Sequence, residues 1–416
     1  MNTNNKITRR WFLEKSAMTG MATFLGSMGI YGREKGLTEN PGLAKDVLNQ
    51  KSIDQLPSGF RSIVNDVLLM NVGFWNTDWY GTMLIDSLLG WKDRGIPEAL
   101  SYAENWLDFH IKNGKKLTDD EFYDTYSGPR SRIICGKYLP FSMYSGFFGL
   151  PFPCYTLYTE TGDERAKQVC LDVAHAILHF SARNANGLVL HDDGVNNGEI
   201  VQFTIPDTLY FVAKALMIAS VLDDKNGKVY QDQALYQTKI STSFYLDDEK
   251  NISRTVLYPT GVGKTFWCRA SGWLCYALTG VLRFLPADHP EYDNITNDLK
   301  RLADGVKKYQ GQKGGLHVLV DQPDTPEEIT GTAMSIASIK EAVIKGWLPD
   351  EYDEFLEKGW EFVKSHVSDD GKITAVYVGW AVSAEREMII MDQPRKAEAG
   401  WIQAVILQAA NMMTAT

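Results

Sequence analysis

One aspartate in an apolar setting, Asp207, is the first candidate for chemistry in this sequence. It stands in the segment Thr204–Phe211 and directly follows Pro206. A carboxyl group that is removed from water keeps its proton to a higher pH than usual, so Asp207 is a candidate general acid. Aspartate is also one of the best helix N-caps. The sequence therefore leaves two interpretations open, a proton donor or a cap.

A second candidate group consists of Trp267, Arg269 and Trp273, which follow one another within a single helical segment. An arginine fork pairs well with a carboxylate, and indole rings offer flat apolar faces to the C–H faces of sugars. The pattern therefore fits a site for a sugar that carries a carboxylate. Stacks of arginine on aromatic rings are also common structural features, so that alternative stays open.

The remaining candidates lie before other helical segments. His191 ends the strand-like run Gly187–His191, and a hairpin there could direct its ring into a pocket. Thr330 and Thr332 belong to the segment Glu328–Met334, where their hydroxyls either cap a helix or contact a ligand. A lone histidine or a threonine at a helix start is more often structural, and the sequence alone does not decide.

The elements that must position these residues follow an alternation of short turns and long connections. The short turns recur about every 60 residues, a spacing typical of repeated helical hairpins. They lie at residues 91–97, 161–163, 223–227, 286–290 and 346–350, and the long connections cover 114–143, 184–206, 244–269, 310–329 and 366–396. About twelve helices result, with inner helices beginning near residues 76, 144, 207, 270, 330 and 397.

This pattern predicts an all-α fold, an (α/α)6 barrel of six helical hairpins with short β-hairpins in the long loops. The strand-like runs are Gly187–His191, Gly315–Val320 and Lys372–Tyr377. The inner helices would start at one end of the ring, and their dipoles would favour an anionic ligand there. An open α-solenoid is the alternative architecture.

Composition excludes several classes of protein. The 416-residue chain has a formal net charge of −10, and no basic segment is concentrated enough to bind nucleic acid. Its five cysteines are scattered, and no pair has the spacing of a zinc site. We therefore expect neither a metal nor another cofactor. Eleven Trp and nineteen Tyr fit core packing and are compatible with a carbohydrate site.

The N-terminal segment predicts export. Thr8–Lys15 contains the pair Arg9 and Arg10 before Trp-Phe-Leu, and a mildly apolar stretch follows from Ser16 to Ile30. This combination resembles a twin-arginine signal, and no cysteine follows it to carry a lipid anchor. We expect residues 1–35 to be the export signal, 36–59 a linker and 60–416 the catalytic barrel of a periplasmic protein without a membrane anchor.

Three motifs together resemble the unsaturated glucuronyl and rhamnogalacturonyl hydrolases, glycoside hydrolase families 88 and 105. They are Pro206–Tyr210, Trp267-x-Arg269-x-x-Gly272-Trp273 and Glu328-x-Thr330-Gly331-Thr332-Ala333-Met334. The resemblance implies an (α/α)6 barrel that acts without a metal or cofactor. It further implies an oligosaccharide substrate with a terminal 4,5-unsaturated uronic acid. We expect a monomer or homodimer, and the sequence does not distinguish the two.

The resemblance also implies roles for single residues. In this family an acid protonates C4 of the vinyl ether, water adds at C5, and the hemiketal opens with loss of the glycosidic bond. Asp207 matches the proton donor and water activator. Trp267, Arg269 and Trp273 match substrate-site positions of the family, and His191 matches a family histidine that precedes the catalytic aspartate. Thr330, Thr332 and Tyr144 are further candidate substrate-binding residues.

One departure from the family pattern keeps other functions open. Relatives usually carry a second aspartate at the start of the second inner helix, whereas this chain reads Met143-Tyr144-Ser145-Gly146-Phe147. A conventional exo-glycosidase acting on saturated uronides would need a second carboxylate, from Asp124, Asp192, Asp193, Glu199 or Glu328. A non-catalytic carbohydrate-binding barrel is the third possibility.

Overall fold

The computed structural model describes residues 56–75, 77–110, 133–134, 137–138, 145–191, 195–196, 199–200, 203–380, 389–392 and 400–415. The predicted export signal, most of the predicted linker and Tyr144 lie outside these residues. None of the helices in the described part of the chain is both long enough and apolar enough to cross a membrane.

Twelve α-helices in the described residues form two concentric layers. The inner helices are α2 (Trp79–Leu89), α4 (Pro151–Thr161), α6 (Pro206–Leu222), α8 (Cys268–Leu282), α10 (Ile329–Ile344) and α12 (Gly400–Met413). The outer helices are α1 (Ser58–Leu69), α3 (Glu98–His110), α5 (Glu164–His179), α7 (Gly227–Tyr245), α9 (Tyr292–Lys308) and α11 (Asp353–Ser365).

The inner helices close into a ring. Each packs against the next inner helix along the chain, and the last, α12, packs against the first, α2. The predicted (α/α)6 barrel is therefore confirmed, and the open solenoid is not the fold.

Burial explains the two layers. Every residue of α8 is buried, as expected for a helix that is apolar all round. The outer helix α9 instead buries one stripe at three- and four-residue spacing, formed by Ile295, Leu299, Leu302 and Val306, and exposes its charged face. The difference follows from position, because inner helices contact protein on all sides.

The second inner helix differs from the prediction at its start. A 3₁₀ turn covers Ser145–Gly149, and the α-helix begins only at Pro151. Proline has no N–H to donate and a fixed φ near the helical value, so it favours the first position of a helix over an interior one. Gly162, with a φ of 72°, ends the helix in the left-handed conformation that glycine adopts without strain.

Five short antiparallel hairpins lie in the described parts of the long connections. They are β1–β2 (Ile133–Ile134, Lys137–Tyr138), β3–β4 (Val195–Asn196, Glu199–Ile200), β5–β6 (Leu257–Tyr258, Gly261–Val262), β7–β8 (Leu316–His317, Glu327–Glu328) and β9–β10 (Tyr377–Trp380, Ile389–Asp392). Single bridges also join Thr204 to Leu257 and Trp267 to Leu319. These bridges tie neighbouring connections together above the starts of the inner helices. The predicted strand-like run Gly187–His191 forms a single local bridge, from Val189 to Arg183, instead of a longer strand.

Candidate active site

Asp207 lies in the first turn of α6 but does not cap it. The N-cap position is Ile205, and no side chain accepts a hydrogen bond there. The interpretation of Asp207 as a helix cap is therefore not supported by the geometry. Protein atoms surround the carboxyl group, yet part of the residue's surface stays accessible to solvent.

The environment of Asp207 suits a general acid. Burial raises the pKa of its carboxyl group to about 7, although its own backbone N–H and the positive charge of Arg269 act in the opposite direction. The group therefore keeps its proton up to neutral pH and can still release it there. A catalytic acid is most effective when its pKa lies near the working pH.

Arg269 holds a buried positive charge beside this acid. Its guanidinium carbon lies 3.8 Å from the centroid of the Trp267 ring and 5.1 Å from that of Trp401. Its Nη1 donates to the backbone oxygen of Tyr377 at 2.8 Å and lies 3.7 Å from Oε1 of Glu328. Burial lowers the pKa of Arg269, and the negative charge of Glu328 counteracts that effect. The arginine–aromatic stack and the electrostatic interaction with Asp207 are thus both present.

Glu328 is the fixed partner of Arg269. It is fully buried and serves as the N-cap of α10, where Oε2 accepts a hydrogen bond from the Gly331 N–H at 2.6 Å. Oε1 accepts from the Thr330 hydroxyl at 2.6 Å, and the Cys268 thiol lies 3.3 Å from Oε2. The sequence indicated Glu328 as the first residue of a motif and as a possible second carboxylate, but nothing local revealed its pairing with Arg269.

Gly331 allows this close arrangement of α8 and α10. A Cβ at this position would lie 2.7 Å from the backbone carbon of Cys268 and 2.8 Å from the backbone nitrogen of Arg269. Both contacts are with backbone, which cannot move aside as a flexible side chain could. Any side chain here would therefore push Arg269 away from Glu328.

The two predicted threonines organise the start of α10. The Thr332 hydroxyl donates to the backbone oxygen of Glu328 at 2.6 Å and accepts from the backbone N–H of Leu316 at 2.8 Å. Thr330 bonds to the Glu328 carboxylate, and both threonines are fully buried. Contact of Thr330 and Thr332 with a substrate stays a prediction, whereas the structure shows their hydrogen bonds within the protein.

Aromatic rings line the barrel beneath this group. Trp273 is 1% exposed and packs against Tyr210 and Phe211, with ring centroids 5.5 and 5.6 Å away. Trp79 lies 5.3 Å from Trp401 and 6.2 Å from Trp273. Trp79 and Trp401 were not predicted as members of the site. Their positions could have indicated it, because each stands near the start of a predicted inner helix.

His191 is brought to the same end of the barrel. Its Nδ1 lies 3.0 Å from the Ser145 hydroxyl and 3.0 Å from the Thr208 hydroxyl, and its ring packs on Phe203 with centroids 5.2 Å apart. Burial lowers the pKa of His191 to about 3, so the ring is neutral at physiological pH. Ser145 and Thr208 are further residues that sequence reasoning did not single out.

The assembled group has a defined chemical capacity. It combines a carboxyl group of raised pKa, a guanidinium, a neutral imidazole and buried indoles at the end where the inner helices begin. These helix starts carry the positive end of the macrodipole, so they favour an anionic ligand. Among the described residues, no three potential ligands converge on a point that could hold a metal ion. The arrangement suits protonation of a bound, negatively charged sugar.

Comparison with known proteins places the chain in a family. The profile of glycosyl hydrolase family 88 matches residues 66–415. The unsaturated rhamnogalacturonyl hydrolase YesR of Bacillus subtilis (strain 168) is 25% identical over 259 residues, which is 60% of this chain and 71% of that protein.

Solved structures share the fold. A possible family 105 member from Klebsiella pneumoniae superimposes with a TM-score of 0.68 at 15% identity, covering 85% of this chain and 92% of the other. A family 88 glycosyl hydrolase from Bacteroides vulgatus gives 0.66 at 18% identity, covering 88% and 99%. Because the family profile spans nearly the whole barrel, this chain belongs to glycosyl hydrolase family 88.

Proposed function

We propose that the protein is a glycoside hydrolase that removes a terminal 4,5-unsaturated uronic acid from oligosaccharides produced by polysaccharide lyases. The observation that carries the proposal is the enclosed Asp207 carboxyl group, whose pKa burial raises to about 7, together with the buried Arg269 guanidinium that interacts with it. The relative YesR, named for action on unsaturated rhamnogalacturonides, and family membership support the same reaction class.

The chemistry follows from the state of Asp207. The vinyl ether of the substrate is electron-rich at C4, so the Asp207 proton is transferred to C4 and positive charge develops at C5, shared with the ring oxygen. Water adds to C5, and the Asp207 carboxylate takes up the proton that this water loses. The hemiketal at C5 then opens to a ketone, and C1 loses the attached sugar as its alcohol. The acid is restored at the end of each cycle.

Arg269 and the indoles supply recognition in this scheme. A guanidinium pairs with a carboxylate through charge-assisted hydrogen bonds, and the uronic acid carries its carboxylate at C6, next to the reacting C5. Trp267 stacks on the guanidinium and restricts it to one plane. The geometry therefore favours substrates whose terminal sugar is charged.

Glu328 is poorly suited to a conventional glycosidase mechanism. That mechanism needs a second carboxylate as nucleophile or base. Glu328 lies 3.7 Å from Arg269, but its oxygens already accept from Thr330 and Gly331. A fully buried and hydrogen-bonded carboxylate is a poor nucleophile. The other candidates, Asp124, Asp192, Asp193 and the side chain of Glu199, lie outside the described part of the structure.

Ultraviolet absorbance tests the proposal. Lyase-treated pectin, ulvan and glycosaminoglycan oligosaccharides carry a conjugated double bond, and we expect the purified protein to remove its absorbance in at least one of these pools. Parallel chromatography should show the shortened saccharide. Turnover of saturated uronides combined with unchanged absorbance in all three pools would refute the proposal.

We also propose that the protein is periplasmic and exported by the twin-arginine route, on the strength of Arg9 and Arg10 before an apolar stretch. Replacing both arginines by lysine should leave an uncleaved precursor in the cytoplasm. Cell fractionation with immunoblotting measures this. If the double mutant were still found in its mature form in the periplasm, the protein would be using another export route.

A further inference from the structure

Two hydroxyls from different elements hold the ring of His191. Ser145 is the first residue of the 3₁₀ turn before α4, and Thr208 lies in the first turn of α6, directly after Asp207. Each hydroxyl oxygen lies 3.0 Å from Nδ1 of His191. The backbone is fixed as well, because the Ser145 N–H donates to the His191 carbonyl at 2.9 Å and the His191 N–H donates to the Phe203 carbonyl at 2.9 Å.

This contact is sheltered from water. Ser145 is 0% exposed and Thr208 is 2% exposed, so neither hydroxyl can readily exchange its ring contact for solvent. A hydroxyl can donate or accept, whereas a neutral imidazole nitrogen does only one of the two. Hydroxyls from two elements on one nitrogen therefore restrict the plane of the ring in either neutral tautomer. The direction of the opposite nitrogen, Nε2, is restricted with it.

We propose that Ser145 and Thr208 are positioning residues, which fix the orientation of the His191 ring for the reaction. The inference rests on the proposed function. Ser145 and Thr208 belong to the segments that begin two inner-helix units, so their hydroxyls join the His191 ring to the end of the barrel where those helices start.

The kinetic test removes one hydroxyl at a time. Thr208→Val keeps the shape of the side chain, and Ser145→Ala removes only the oxygen. Each should lower kcat on an unsaturated uronide by roughly 3- to 10-fold, the effect of about one neutral hydrogen bond, with little change in KM. Thr208→Ser should recover most of the activity lost in Thr208→Val. Ser338→Ala is the matched control, because Ser338 is a buried hydroxyl on α10 that donates to the Met334 backbone oxygen.

A spectroscopic arm is independent of activity. The chain has seven histidines, so ¹⁵N-histidine labelling gives few ring signals, and His191→Gln identifies those of His191. The wild-type His191 ring should give one narrow set of signals, and Thr208→Val and Ser145→Ala should shift or broaden them as the ring becomes less restricted. Unchanged His191 signals, or unchanged kcat in both variants, would overturn the inference. If wild type converts no unsaturated uronide, the proposed function fails, and the spectra still decide whether the hydroxyls fix the ring.

Discussion

Replacement of Asp207 by asparagine should lower kcat on an unsaturated uronide by about 10² to 10⁴, the usual contribution of general acid catalysis. Asparagine keeps the size and polarity of the side chain but cannot deliver a proton to C4. Wild-type activity should also fall as the pH rises through about 7, because the active form is the protonated acid. Initial rates of absorbance loss over a pH series measure both effects.

The same substitution should not destabilise the fold. The pKa of Asp207 is raised in the folded state, so the folded protein binds more protons than the unfolded one between the two pKa values. Wild-type stability therefore declines as the pH rises from about 4 to 7, a decline that Asp207→Asn removes. Asp293→Asn, at an exposed position in the first turn of α9, is the control for amide substitution in general. Near-wild-type turnover by pure, folded Asp207→Asn protein would exclude Asp207 as the proton donor.

Replacement of Arg269 by alanine should reduce kcat/KM for the uronide about 10- to 200-fold, since a hydrogen bond to a charged group contributes about 1.5–3 kcal/mol. The loss should be smaller for a substrate whose uronic carboxylate is methyl-esterified, because the ester accepts the guanidinium less well. Initial rates on the acid and the ester, for wild type and variant, measure the difference.

The structure adds a necessary control to this comparison. Glu328 is fully buried against Arg269, and removing one partner of a buried ion pair commonly costs about 3–5 kcal/mol of stability. The double variant Arg269→Ala/Glu328→Gln removes the uncompensated charge and should regain part of the melting temperature. If the double variant still loses more kcat/KM on the acid substrate than on the ester, recognition of the carboxylate explains the effect. Equal losses on acid and ester would mean that Arg269 only holds α8 and α10 together.

Sequence patterns predicted the barrel well because its elements are local. Short turns such as Thr161–Asp163 and apolar stripes such as that of α9 are visible within a few residues, and closure follows from six similar hairpins. The start of α4 was less well predicted, because Pro151 shifts the α-helix and leaves a 3₁₀ turn before it. Backbone details of that kind depend on single residues.

The site was predicted in part, for a related reason. Asp207, Arg269 and His191 stand in recognisable motifs, but their partners come from distant segments. Glu328 lies 59 positions after Arg269 in sequence, and Ser145 lies 46 positions before His191. No pattern within a few neighbouring residues predicts such pairings. The raised pKa of Asp207 likewise depends on how tightly the folded barrel encloses it.

The most direct test of the central claim compares two substrates that differ in one atom. The first substrate is the unsaturated uronide itself, and in the second a sulfur atom replaces its glycosidic oxygen. If Asp207 protonates C4, the leaving atom needs no proton in the slow step, and wild type should convert both substrates with kcat/KM values within about tenfold of each other. Asp207→Asn should fail on both. An enzyme that cleaves the oxygen-linked substrate but leaves the sulfur-linked one intact, with a gap of about 10² to 10⁴, would be protonating the leaving group and would contradict the account.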